Sequence, residues 1–478
     1  MGYGDDYAYL SEKDGGYEEE DSMIWKKGLT NITGSEFIKN IMMLITGNII
    51  GYGINLITLP IISRIYTQSE LGEYELILSS AGIFLAILQL SMMLVIMIPE
   101  EEHEAVIISK IILYFTLFGS ILIVAVLLAL APDIQFFHVN ISYSGGILLF
   151  GLYLIFYNLQ NIYYSFTNRK KLYSILLWNP VLMAAANGFF SIAFGLCGGG
   201  SVGYLLGTII SYIAAILHMK RHVQPFVDSV RIYEIKEVLA KYREYPLIQL
   251  PAALVSTIAL QIPAQFLGRI FSAAVLGGYT MACKILTVPV SLLAAPVNRV
   301  YYRSLVEKLE NREEAGKFAF SLLKNNILIA VVPIGLLMVF GDKIISIVLG
   351  RAWRISGTYI LIMGMMYLLK YCSACMSGTF VAAGKQRISL FFSVFTLFLY
   401  GVWGFIIYKV QIDVISAIIL YTVFASIQEI VNLLLCMYCL RFPMMKCLKF
   451  FLNYIIGSTA IIYLLYGFRR WIEWRFLK

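Results

Sequence analysis

Two lysines interrupt long apolar stretches of this 478-residue chain. Lys284 is followed by Thr287 and Ser291 at +3 and +7, and Lys370 is followed by Ser373 at +3, so each lysine shares a helical face with hydroxyl groups. Moving such a charge to the centre of a bilayer costs about 3 kcal/mol even on insertion scales, so intramembrane lysines usually face an interior or a water-filled cavity. We therefore interpret Lys284 and Lys370 as cations of an internal cavity that suits an anion.

Amide side chains in other apolar stretches are candidates for the rest of this cavity. Asn48 and Asn55 share one face of the first stretch, Asn161 lies in the fourth, and Gln265 lies in the seventh. Such side chains line hydrated cavities, and they also join neighbouring helices in membranes by hydrogen bonds. Both interpretations stay open for these residues.

Three further charged residues belong to the candidate set. Arg64 and Arg269 lie near the ends of apolar stretches, where they either face the cavity or extend to the lipid headgroups. Glu429 lies inside the twelfth stretch and is the candidate for ion coupling.

Motifs for catalysis or metal binding are missing from the sequence. There is no GxxxxGK(S/T) phosphate-binding loop and no GxSxG elbow. The four histidines lie at the ends of apolar stretches or in loops, and the two CxxC pairs have no further Cys or His ligands nearby. We expect no catalytic residues, no metal and no cofactor, and hence a protein that is not an enzyme.

The elements that carry these residues are predicted to be transmembrane helices. Of all residues, 59% are hydrophobic and only 14% are charged, whereas soluble domains are about 25% charged. Apolar stretches long enough for one crossing, about 20 residues, recur from Phe37 almost to the C-terminus, so we predict an all-α polytopic membrane protein. The thirteen predicted spans are residues 38–62, 75–98, 106–131, 144–166, 172–196, 200–218, 246–268, 274–298, 318–340, 357–382, 388–408, 412–438 and 447–466.

Lysine and arginine residues indicate the orientation, because short cytoplasmic loops carry an excess of them. They concentrate in every second predicted loop, at residues 169–171, 220–243, 299–312, 385–387 and 441–449, which places the N-terminus in the cytoplasm. Thirteen spans would leave the arginines of the C-terminal segment FRRWIEWRFLK outside. A fourteenth, degenerate or interfacial segment would resolve this conflict.

An internal repeat divides the chain. Residues 64–74, RIYTQSELGEY, align without a gap with residues 269–279, RIFSAAVLGGY. Each copy follows one predicted span and leads into another, so spans one to six and seven to twelve form two homologous halves in the same orientation. Parallel repeats of this kind bind cargo at their interface and alternate access by rocking. The predicted units are an acidic, disordered cytoplasmic tail (1–36), two pseudo-symmetric six-helix bundles (37–222 and 223–440) and an additional C-terminal helix with a basic tail (441–478).

The first copy of the repeat resembles the polysaccharide-transporter branch of the multidrug/oligosaccharidyl-lipid/polysaccharide (MOP) flippase superfamily. Members have a first helix that ends in a TLPIxSRxYTPxExGxY pattern, and residues 58–74 match it except that Gln68 replaces proline. The eighth predicted span is similar to that of the family, with Lys284, Pro289 and Tyr301 in matching positions. One departure is in the seventh span, where residues 261–264, QIPA, stand at a position that is acidic in many relatives.

The resemblance implies a flippase of the bacterial cytoplasmic membrane. Such a protein carries undecaprenyl-pyrophosphate-linked oligosaccharide repeat units to the outer leaflet by alternating access, for surface polysaccharide biosynthesis. The candidates for binding the pyrophosphate are Lys284, Lys370, Arg64 and Arg269. The candidates for sugar contacts are Asn48, Asn55, Asn161 and Gln265. Expected partners are the lipid-linked oligosaccharide and membrane lipids, with a polysaccharide polymerase and glycosyltransferases as candidate protein partners and no nucleic acid.

Three other functions stay open. A drug or metabolite antiporter of the same superfamily would need an intramembrane acid, for which Glu429 is the main candidate. A lipid II flippase would serve cell-wall synthesis instead. A polysaccharide polymerase or ligase would usually carry a large external loop with catalytic residues, whereas every predicted outside loop of this chain is short.

Overall fold

The regular structure of this protein is helical. The computed structural model describes residues 34–130, 143–227, 229–309 and 311–476, and no strand occurs among them. Thirteen helical segments of this described part are long and apolar enough to cross a membrane. The all-α polytopic fold predicted from the sequence is confirmed. The predicted acidic tail lies almost entirely outside the described residues.

The N-terminal half folds into a six-helix bundle. Its helices are α1 (Gly34–Ile65), α2 (Gln68–Leu88), α3 (Glu102–Leu130), α4 (Tyr143–Arg169), α5 (Tyr173–Leu196) and α6 (Gly200–Lys220). α1 packs against α5, α5 against α6, and both α3 and α6 against α4. α2 packs on α4 and α6 from the side that faces the other half.

A short surface helix, α7 (Ile232–Lys241), connects the halves. Its Val238 is buried in one apolar cluster with the first turns of α3, and Lys241 forms an ion pair with Glu104 at 2.7 Å. The backbone amide of Arg231 donates to the carboxylate of Glu234 at 2.8 Å and thereby lowers the pKa of Glu234. α7 is therefore fixed to the N-terminal bundle.

The C-terminal half repeats the arrangement. Its helices are α8 (Leu250–Phe266), α9 (Ala273–Lys308), α10 (Arg312–Val348), α11 (Arg354–Cys375), the short α12 (Thr379–Ala382), α13 (Gln386–Val410) and α14 (Val414–Cys439). α8 packs against α13, α13 against α14, and both α10 and α14 against α11. Each of these pairs is the counterpart of a packed pair in the N-terminal bundle, so the duplication is visible in the packing as well as in the sequence.

One additional helix, α15 (Met444–Phe476), follows the second bundle. It continues without a break through the arginine-rich end, so the described residues contain no separate fourteenth segment. Arg469 forms a bidentate ion pair with Asp342 of α10, at 2.6 and 2.9 Å, and a further pair with Glu473 at 3.4 Å. These carboxylates neutralise Arg469, one of the arginines that thirteen spans leave outside, although Lys and Arg are normally in excess in cytoplasmic loops.

The second span differs from its prediction. The structure places it at Gln68–Leu88 instead of residues 75–98. Thr67 and Glu70 form a capping box that begins the helix early, and Leu90 and Ser91 adopt positive φ values of 51° and 54° after its end. Hydropathy could not reveal this, because residues 89–98 are as apolar as the helix before them.

The two halves cross at the repeat itself. Gly72 of α2 and Gly277 of α9 are the same position of the two copies. A Cβ atom on Gly72 would lie 1.7 Å from the carbonyl oxygen of Ala273, and one on Gly277 would lie 2.0 Å from that of Gln68. Only glycine permits this approach, so the pseudo-twofold axis runs between these two residues.

Hydrogen bonds close the same end of the molecule. The indole of Trp353 donates to the carbonyl oxygen of Ser63 at 2.7 Å, and the hydroxyl of Ser63 donates to that of Leu349 at 3.0 Å. The side chain of Gln68 donates to the carbonyl oxygen of Ala352 at 2.6 Å. In the described part of the chain, every extensive helix contact between the bundles involves α2. The bundles are thus joined along α2 and at this end.

Candidate functional site

Lys284 faces the other half of the protein. It lies on α9, two turns beyond the crossing at Gly277, and its side chain is half-buried. Glu75, one turn beyond Gly72 on α2, is close enough for the two charges to act on each other. The pair therefore spans the interface between the bundles, with one charge from each.

Lys370 also has an acid in its surroundings. Its ammonium lies 5.0 Å from the centre of the Tyr367 ring, and the side chain is exposed. Glu429 of α14 is 8% exposed and lies within electrostatic reach of this lysine. Lys370 and Glu429 belong to the same bundle, so this second pair does not cross the interface.

The N-terminal bundle contains an open polar cavity of about 460 Å³. It brings together two residues singled out in the sequence, Asn55 of α1 and Asn161 of α4. Among the residues that line it in the described part of the chain, none is charged. Its other polar lining residues are Tyr74, Tyr157, Gln160, Tyr164, Asn179, Asn187, Thr208, Ser211 and Tyr212.

Hydrogen bonds hold several of these side chains in place. Gln160 donates to the side-chain oxygen of Asn179 at 3.2 Å, and the hydroxyls of Tyr74 and Thr208 lie 2.9 Å apart. The amide of Asn161 donates to a backbone carbonyl at 2.9 Å, which leaves its side-chain oxygen as an acceptor. Preformed amides, hydroxyls and tyrosine rings without charge can bind a ligand rich in hydroxyl groups.

Tyr204 connects the polar cavity with Lys284. Its ring centre lies 4.3 Å from that of Tyr74, which lines the cavity. Tyr204 is also close enough to Lys284 to act on it electrostatically. Tyr204 is therefore a neighbour of both the polar cavity and the interfacial lysine.

The remaining predicted residues lie elsewhere. Asn48 and Arg64 are exposed on α1, and neither lines the polar cavity. Gln265 and Arg269 line a separate pocket of about 440 Å³ between α2, α8 and α13. The structure therefore divides the predicted set among five places, namely the polar cavity, the interface at Lys284, the pair of Lys370 and Glu429, the surface of α1 and this second pocket.

Several residues of the interior were missed in the sequence. Glu75 was overlooked because the second span was predicted to begin there. The polar face of α4 could have been found more completely, since Tyr157, Gln160, Asn161 and Tyr164 follow the spacing of one helical face. The contributions of α5 and α6 are single polar residues among apolar ones, and no local pattern marks them.

The cysteines and acids give no metal site. All seven cysteines are free. No group of three or more His, Cys, Asp or Glu side chains in the described residues could hold a metal ion.

Solved structures similar to this one include a flippase and transporters. The inward-closed conformation of the lipid II flippase MurJ matches with a TM-score of 0.63 and 14% identity, over 90% of this chain and 98% of that chain. The inward-facing conformation of a multidrug resistance MATE family transporter matches with a TM-score of 0.57 and 15% identity, over 83% and 95%. A MOP superfamily transporter from Pyrococcus furiosus matches with a TM-score of 0.53 and 15% identity, over 84% and 95%. At these identities the likeness defines the fold, which is that of the MOP superfamily.

The sequence gives the family within this class. The model of the family described as "Polysaccharide biosynthesis protein" matches residues 61–356, which is more than half of the chain. The chain therefore belongs to this polysaccharide biosynthesis protein family, and the resemblance to the polysaccharide branch of the MOP superfamily is confirmed. None of the curated proteins matches the sequence significantly. The protein is a membrane transporter of the flippase type.

Proposed function

We propose that this protein moves undecaprenyl-pyrophosphate-linked oligosaccharide repeat units from the cytoplasmic to the outer leaflet of the bacterial cytoplasmic membrane, for surface polysaccharide biosynthesis. The observation that carries the proposal is the neutral, amide- and tyrosine-lined cavity that neighbours Lys284 through Tyr204. A sugar chain needs hydrogen-bond partners without charge, and a diphosphate needs a cation. The polar cavity would supply the first and Lys284 the second, which supports the proposal.

In this proposal Lys284 and Lys370 bind the diphosphate, and Asn55 and Asn161 contact the sugar. The diphosphate carries more negative charge than one carboxylate, so it competes with Glu75 for Lys284. Substrate binding would thereby weaken an attraction that holds the two bundles together.

The structure adds no support for the proposed roles of the other four predicted substrate-binding residues. Arg64 and Arg269 stay candidates for the diphosphate, and Asn48 and Gln265 stay candidates for sugar contacts. None of these four lines the polar cavity.

The lipid tail is proposed to stay in the bilayer on the side of α1. α8 packs along α2, whereas no comparably extensive contact joins its counterpart α1 to the C-terminal bundle within the described residues. Asn48 and Tyr52 are exposed on α1 although polar groups are costly in lipid. A hydrated cleft beside α1 would accommodate both residues and would open the interior sideways to the membrane.

Alternating access is proposed to start from an inward-facing state. With the N-terminus in the cytoplasm, the crossing at Gly72 and Gly277 lies on the outer side and closes it. Translocation would then require this crossing to separate. The proposed partners are the lipid-linked oligosaccharide and membrane lipids, with the polymerase and glycosyltransferases as proposed protein partners.

The test is the position of lipid-linked repeat units in cells that carry the double variant Lys284→Ala/Lys370→Ala. We expect these units to accumulate on the cytoplasmic leaflet and surface polysaccharide to fall at least tenfold, since two charge-assisted contacts of about 1.5–3 kcal/mol each are lost. The matched control is Lys409→Ala, since Lys409 also lies over a tyrosine ring but at the exposed end of α13. Normal surface polysaccharide in the double variant would remove the proposed site.

An ion-coupled drug or metabolite antiporter is the second candidate. The observation that favours it is Glu429, a carboxyl group inside α14 that is only 8% exposed. Loss of gradient-dependent drug efflux in Glu429→Gln, with normal surface polysaccharide, would support this function. Rescue of cells that lack their lipid II flippase would instead support that activity.

A further inference from the structure

The pocket that holds Gln265 and Arg269 lies between the bundles, away from the polar cavity. Its volume of about 440 Å³ is within the range of about 300–1,000 Å³ typical of small-molecule sites. α2 contributes Ile83 and Phe84, α8 and the turn after it contribute Phe266 and Ile270, and α13 contributes Tyr408. Elements of both halves thus form it, and we call it the seam pocket.

Two kinds of polar side chain line the seam pocket, neutral ones and one arginine. The amide of Gln265 donates to the hydroxyls of Ser79 at 2.7 Å and Ser80 at 2.9 Å, which binds α8 to α2. These groups are engaged in joining the bundles. Arg269 is the one charged side chain among the described residues that line the pocket, and it is exposed.

The position of Arg269 gives the pocket a direction. The seventh span ends at Phe271, two residues after Arg269, so we infer that Arg269 lies near the membrane surface, whereas Ile83 and Phe84 lie well inside the span formed by α2. A ligand that fits has an anionic group at the membrane surface and an apolar chain that points into the bilayer. Basic pockets between transmembrane helices bind anionic lipid head groups in this way.

We propose that an anionic phospholipid binds in the seam pocket, with its phosphate at Arg269 and one acyl chain among Ile83, Phe84, Phe266 and Ile270. The bound lipid fills the junction between the bundles on the side opposite α1. Because it contacts α2, α8 and α13 together, it favours the conformation in which these helices are packed. This proposal does not depend on the transported substrate.

The test is native mass spectrometry of the purified full-length protein, titrated with phosphatidylglycerol or phosphatidylcholine. We expect one phosphatidylglycerol molecule to bind more tightly than phosphatidylcholine, and Arg269→Gln to weaken that binding about fivefold. Ile83→Trp fills the pocket without changing its charge and should also weaken binding. The control is Arg303→Gln, an exposed arginine paired with Glu307 on the surface of α9.

Three outcomes would overturn the proposal. The first is equal binding of the two phospholipids by the parent protein. The second is an equal effect of Arg269→Gln and Arg303→Gln. The third is displacement of phosphatidylglycerol by undecaprenyl diphosphate at a lower concentration than that of the phospholipid, which would assign the pocket to the transported lipid. Each is measured without a transport assay, so the result is separate from the test of the flippase function.

Discussion

Two lysines within the spans of this protein occur together with opposite charges. Lys284 faces Glu75 across the interface, and Lys370 has Glu429 in reach within its own bundle. The lysines could be predicted from the sequence, because a charge inside a span is conspicuous. The acid Glu75 could not be assigned to Lys284, since the two residues belong to different halves and are brought together only by the crossing of α2 and α9.

A double-mutant cycle tests the pair of Lys284 and Glu75. Lys284→Gln alone leaves the carboxylate of Glu75 inside the protein without its cation, which destabilises more than removal of both charges. We expect the double variant Lys284→Gln/Glu75→Gln to melt at a higher temperature than Lys284→Gln, with a coupling energy of about 1 kcal/mol. Thermal unfolding of the purified variants measures it. Strictly additive effects would mean that the two charges do not interact.

The ion pair of Arg469 with Asp342 makes a second prediction at this scale. The side chains are 10% and 11% exposed, so removal of one leaves a nearly buried charge without its partner. We expect Arg469→Ala to lower the free energy of unfolding by about 3 kcal/mol. Arg470→Ala is the matched control, since the neighbouring Arg470 is 50% exposed and its effect should be below about 1 kcal/mol. Equal effects of the two substitutions would contradict the assignment.

Among the elements, α2 determines how the bundles meet. It packs on α4 and α6 of its own half and on α8 and α9 of the other half. The existence of the spans could be read from hydropathy, and the repeat of RIYTQSELGEY and RIFSAAVLGGY predicted the duplication. The bounds of α2 could not be predicted, because the apolar residues after Leu88 have the same composition as the helix before them. The polar residues that α5 and α6 contribute to the cavity could not be predicted either, because each stands alone among apolar residues in the sequence.

Substitution of Gly72 tests the crossing of α2 and α9. A Cβ atom there would lie 1.7 Å from a backbone oxygen, so Gly72→Ala must push the helices apart. We expect cysteines introduced near the crossing to react faster with a membrane-impermeant thiol reagent added outside. Gly53→Ala in α1 is the matched control, since no heavy atom lies within 4 Å of its Cβ position. Unchanged labelling in Gly72→Ala would show that the crossing does not close this end.

The whole molecule is closed at one end and joined along α2, with its polar cavity in the N-terminal bundle and Lys284 and Lys370 on helices of the C-terminal bundle. In the proposed orientation, with the N-terminus in the cytoplasm, Gly72 must separate from Gly277 before the interior can open to the outside. The seam pocket and the proposed cleft beside α1 lie on opposite sides of this junction. Rocking of one bundle against the other about α2 would therefore change the shapes of the seam pocket and of the proposed cleft together.

The most direct measurement is translocation of a purified undecaprenyl-diphosphate oligosaccharide by the protein reconstituted in liposomes. The account predicts that the parent protein and Lys409→Ala move the labelled lipid to the opposite leaflet, and that Lys284→Ala/Lys370→Ala moves it at least ten times more slowly while remaining folded. Equal translocation by the double variant and the parent would contradict the claim that Lys284 and Lys370 bind the diphosphate.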